Sequence, residues 1–136
     1  MTERQFIFCL SSSLAGSILS LLFGQLRGIF AALLIMMVLD YVTGVLNGIK
    51  SKNLSSEISY WGLVKKLVIL IIIIVANVVD RWVFGSEMCR NVVICFYIAN
   101  EGLSILENAI KLGVPAPEKL KAILAQLKED THDYMG

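Results

Sequence analysis

Eleven of the thirteen residues from Leu67 to Val79 are Leu, Ile or Val, and Ile71–Ile74 is unbroken. No charge falls inside this stretch, and its apolar side chains point in every direction round a helix. A helix that is apolar all round needs a buried or lipid surrounding. Extended to 64–84, the run is long enough to cross a hydrocarbon core of about 30 Å.

Three other runs follow the same pattern, at 6–23, 29–49 and 91–112. The chain is 57% hydrophobic and only 17% charged, whereas soluble domains have about a quarter of their residues charged. The expected fold is therefore an all-α integral membrane protein with four transmembrane helices. It has three if 6–23 lies in the interface instead. Residues 1–112 form the transmembrane region, and 113–136 form a cytoplasmic tail. Gly113 followed by Pro115 and Pro117 ends the last span. Leu120, Ile123, Leu124 and Leu127 then make an apolar stripe, which predicts a short amphipathic helix over about 117–130.

The first run carries Ser11, Ser12, Ser13, Ser17 and Ser20. Its unbroken apolar part, Phe6–Leu10, is too short for the core of a cleaved signal peptide. Cys9, Ser13, Gly16 and Ser20 instead share a small-residue face of the kind that lets helices approach closely in a membrane.

The second run contains one charged side chain, Asp40. Its Leu, Ile, Val and Phe residues contribute roughly −3 to −6 kcal/mol to insertion, against about +3 for a central aspartate. The span inserts, but the acid needs shelter or a use. Asp40, Thr43, Gly44, Asn47 and Gly48 fall on one helical face. Gly44 and Gly48 make a GxxxG pair, which favours close helix packing. The fourth run is weaker, being interrupted by Asn100-Glu101-Gly102 and followed by Ser104 and Asn108. Its polar side requires cover from other helices.

Lys and Arg set the orientation. The N-terminus, the loop 50–66 and the tail hold Arg4, Lys50, Lys52, Lys65, Lys66, Lys111, Lys119, Lys121 and Lys128, against Arg27, Arg81 and Arg90 on the other side. Both termini are expected in the cytoplasm if four helices span. At 1.5 Å per residue, Asp40 and Glu101 then lie roughly 15 Å below the outer face. Asn77 reaches a similar depth, so these three groups are expected to share one polar layer. With Lys65 and Lys66 in the loop, no cation is expected at that depth. Two acids so placed cannot both be charged cheaply.

The only histidine, His132, lies in the tail, and the serines have no base placed beside them in sequence. There is no phosphate-binding glycine loop, and the three cysteines lack metal or redox spacing. An enzyme is not expected, nor a metal or other cofactor. The net charge of +1 gives no reason to expect nucleic acid. The candidate residues are for helix association or for lining water: Asp40, Thr43, Gly44, Asn47, Gly48, Asn77, Asn100, Glu101, Ser104 and Asn108.

Two stretches carry a resemblance. One is Leu34-Ile-Met-Met-Val-Leu-Asp40-Tyr-Val-Thr-Gly44 with Gly62-Leu-Val-Lys65-Lys66. The other is Phe96-Tyr-Ile-Ala-Asn-Glu101-Gly-Leu-Ser-Ile-Leu-Glu-Asn108 with Leu112-Gly-Val-Pro115-Ala-Pro117. Over roughly Ile29 to Lys128 the chain is similar to phage lysis holins of the toxin-secretion family. That resemblance implies a homo-oligomer in the bacterial cytoplasmic (inner) membrane that opens lesions or pores. Its functional partner would be an endolysin, or a toxin lacking a signal peptide, and the result host lysis (cytolysis) or toxin secretion. The residues alone also admit a small ion channel or proton-coupled transporter using Asp40 and Glu101. They admit, too, a membrane anchor that holds a cytoplasmic partner through the tail.

Overall fold

The computed structural model describes residues 1–26 and 28–135, without the side chains of Lys128 and of residues 131–135. Arg27, Lys128 and His132, invoked above, thus lie wholly or by their side chains outside the described residues. The chain forms α1 (Glu3–Phe23), α2 (Ile29–Lys50), α3 (Ser56–Val79), α4 (Met88–Leu112) and α5 (Glu118–Met135). No strand occurs among the described residues. A π-helical turn, Asp80–Phe84, prolongs α3. Four of the helices, α1, α2, α3 with its extension, and α4, are long and apolar enough to cross a membrane.

The helix ends follow local chemistry. Thr2 and Gln5 form a reciprocal capping box at the start of α1. Ser55 caps α3, its hydroxyl accepting from the Ile58 N–H at 3.2 Å, with Glu57 in the positive first turn. This cap starts α3 eight residues earlier than the expected span at 64–84. Gly113 ends α4 in the left-handed region (φ 100°), where a side chain would be strained. The Val114 N–H then reaches back to the Ala109 carbonyl at 3.0 Å. The final helix begins one residue after Pro117 and continues past the expected end near 130.

α2, α3 and α4 form the bundle. α4 pairs extensively with α2 and also packs on α3, whereas α2 and α3 touch little. The dry core is small and lies in one half: Phe30, Leu33 and Met37 from α2, Ile69 and Ile73 from α3, and Ile94 from α4. Most other large apolar side chains, such as Ile35, Val38, Ile71 and Val75, are exposed. In water such a surface would drive aggregation. In a bilayer it faces lipid tails.

α1 buries no residue. Three of its serine hydroxyls bond within the helix, Ser11 and Ser12 to the Phe8 carbonyl at 3.0 and 2.8 Å and Ser17 to the Ser13 carbonyl at 2.9 Å. They therefore ask nothing of the rest of the bundle.

Candidate helix-association and water-lining site

Because α3 starts at Ser56, Lys66 stands about 15 Å inside the helix rather than in a loop. Its ammonium projects between α2 and α4, 2.7 Å from Asp40 Oδ2 and 2.6 Å from Glu101 Oε2. The side chains of Lys66, Asp40 and Glu101 are only 14%, 18% and 5% exposed. The expectation that no cation reaches this depth is therefore wrong. It treated both lysines of the pair 65–66 as loop residues because a charge usually marks the end of a span. Ser55, Glu57 and the helical spacing of Ile58, Gly62, Lys66, Ile69 and Ile73 were the signals for the longer helix.

Asn108, two turns along α4 from Glu101, completes the network. Its Nδ2 donates to Thr43 Oγ1 at 3.1 Å and to Asp40 Oδ1 at 3.3 Å. Thr43 Oγ1 in turn donates to the Asp40 carbonyl at 3.0 Å. A Cβ added at Gly44 would sit 3.6 Å from Asn108 Nδ2, in ordinary contact. One added at Gly48 would meet Leu54 Cδ1 at 2.9 Å, so that end of the GxxxG pair packs on the loop after α2. Asn47 is half-buried.

The triad forms part of the wall of an open cleft of about 750 Å³ between the second half of α2 and the first half of α3. Glu101, Asn100, Ser104 and Asn108 also line it, and Val45, Ile58, Val68 and Ile72 supply apolar wall. One ammonium between two carboxylates leaves a formal charge of −1 at its polar wall. In low dielectric such a group holds together only while each charge keeps its partner.

Asn77 does not join this layer, which corrects the expected Asp40–Asn77–Glu101 level. Three turns of α3, about 16 Å, separate it from Lys66. Asn77 is buried and donates to the carbonyls of Leu21 and Leu22 at 3.1 and 2.9 Å. Depth counted from the presumed start of the run misplaced it, because the third helix begins at Ser56, eight residues before the expected 64, while its far end at Phe84 is as expected.

A second polar cluster surrounds Asn77. Arg90 and Asp80 are 3% and 1% exposed. The Arg90 guanidinium donates to the carbonyls of Phe23 and Gln25, at and just beyond the end of α1, where the helix dipole favours a cation. Asp80 accepts from the backbone N–H groups of Cys89 and Arg90 at 3.0 and 2.7 Å, at the start of α4. The π-helical turn carries the chain round so that Asp80 faces these donors. In the sequence Arg81 and Arg90 read only as charges on the outer side.

These features define a small all-helical membrane protein that keeps its polar groups between helices and its apolar surface outward. The chain belongs to the bacteriophage holin family, whose sequence profile matches residues 17–129. An uncharacterized 14.9 kDa protein of Clostridium perfringens is 47% identical over 113 residues, 82% of this chain and 86% of that protein. An uncharacterized Listeria monocytogenes protein is 37% identical over 80% of this chain and 78% of its own. A probable holin of Bacillus phage phi105 is 34% identical over 109 residues, 80% of each chain. No solved structure matches the chain significantly.

Proposed function

We propose that this protein is a holin that accumulates in the bacterial cytoplasmic membrane, self-associates and opens lesions. Endolysin, or a toxin lacking a signal peptide, then crosses, and the host lyses. The observation that carries the reading is the Asp40–Lys66–Glu101 triad beside an open cleft, in a chain whose apolar helices are otherwise mostly uncovered.

Facing lipid, a half-buried charged triad is costly. A lone copy therefore has reason to cover the cleft with protein or fill it with water. In a small assembly, helix-to-helix contact covers the polar faces of α2 and α4. In a large one the same faces become contacts between copies or line water. Arrangements that differ by only a few kcal/mol are switched by accumulation or by membrane potential. With Lys66 assigned to the triad, Lys50, Lys52, Lys111, Lys119 and Lys121 still favour a cytoplasmic α2–α3 loop and tail.

The test is inducible expression with and without an endolysin, following membrane potential and culture turbidity. A holin gives abrupt depolarisation, and turbidity falls when the endolysin is present. Graded conductance without lysis would replace this reading with a channel or transporter.

A further inference from the structure

The structure leaves two surfaces without partners, the α2–α3 cleft and α1 ahead of its last turn. We infer that α1 of one copy seats in the cleft of the next, making a head-to-tail contact that repeats from copy to copy. This rests on the self-association reading above and specifies its geometry.

A chain cannot fill its own cleft in the arrangement seen. Asn77, Arg81 and Arg90 pin the end of α1 to the far part of α3 and the start of α4. No α1 residue lines the cleft. On α3, the cleft residues Ile58, Trp61, Lys65, Val68 and Ile72 share one face. Asn77 lies roughly 140° round from it, at about 100° per residue.

Depth favours a neighbour's α1. Asn77 bonds the carbonyl of Leu22, and with all four long helices crossing the membrane α1 and α3 run in the same direction. Equal steps back along both helices bring Ser13 level with Val68 and Cys9 level with Val64. In a copy at the same depth, the small side chains of α1 therefore lie at cleft level. Nothing lies within 4 Å of a Cβ added at Gly16, on α1, or at Gly62, on the cleft wall. Ser11, Ser12 and Ser17 already bond within their helix, so seating strands none of these three hydroxyls. Small residues also let the backbone enter deeply enough to cover the triad. Donor and acceptor surfaces differ, so the contact is heterologous. It generates rings or open chains rather than closed dimers.

Full-length protein in membranes, carrying Cys89→Ser, Cys95→Ser and Val64→Cys, tests the contact by oxidative cross-linking of residue 64 to Cys9. The expected result is a ladder of dimers, trimers and larger species. Gly16→Leu or Gly62→Phe, each placed in open space in the isolated chain, should reduce the ladder at least tenfold. Mixing the two variants should stop it at dimers, because one has lost the donor and the other the acceptor. A ladder unchanged by either substitution, or cross-links only between Cys9 residues, would overturn the inference. So would phospholipid that leaves the cleft in Gly62→Phe while the ladder persists. If the ladder is missing but depolarisation and lysis proceed, the seating fails and the holin reading stands.

Discussion

Lys66 on α3 and Glu101 on α4 meet at 2.6 Å, thirty-five positions apart in the chain, where only 5% of the glutamate side chain is exposed. The same ammonium serves Asp40 at 2.7 Å, so one cation joins three helices. Lys66→Met strands two carboxylates beside each other. It should cost about 3–5 kcal/mol, the range for breaking a buried ion pair. Replacing all three charges together, Asp40→Leu, Lys66→Met and Glu101→Leu, should recover most of that loss. Unfolding in detergent compares the two, and a Lys66→Met protein as stable as the parent would contradict the account.

Single substitutions of the acids act differently. Asp40→Leu or Glu101→Leu leaves a neutral pair, which the membrane tolerates better than a net charge. Both variants should insert and accumulate normally, and both should shift lysis timing or abolish lysis. Turbidity curves at matched protein levels decide this. Timing identical to the parent in both variants would rule out a role for the triad in triggering.

Asn108 connects α4 to α2 through Thr43 and Asp40. Asn108→Ala and Thr43→Val should each destabilise by about 1–3 kcal/mol, because a buried polar group loses its partner. Combined, they should cost less than the sum, with a coupling of about 0.5–3 kcal/mol. A double-mutant unfolding cycle that gives strict additivity would show that the hydrogen bond carries no stability.

At the other polar cluster, Arg90→Met removes the guanidinium from the Phe23 and Gln25 carbonyls. Hydrogen exchange in the last turn of α1 should quicken, while amides near Glu101 stay protected, because the two clusters are about three turns apart. Equal loss of protection in both places would mean that α1 holds the bundle together.

Much of the architecture was legible because lipid makes simple demands of a sequence. Apolar run length gave the four long helices, and Gly113 with its prolines gave the end of α4. Asp40, Thr43 and Asn108 were recognisable as polar groups in costly places. The partner of Asp40 was missed, since a lysine near a span end reads as a boundary whether it faces water or turns inward. Asp80 and Arg90 were missed for the same reason.

By itself the sequence determined that this is a helical membrane protein, because backbone hydrogen bonds must be met within each span and apolar side chains must face lipid. It also determined that Asp40 and Glu101 need shelter. Only the tertiary structure decided who provides it: Lys66 for the two acids, and a separate cluster for Asn77. Which side chains meet depends on where α3 begins and how α4 lies between α2 and α3. Both are outcomes of capping and packing between segments far apart in the chain, which no single stretch of sequence contains.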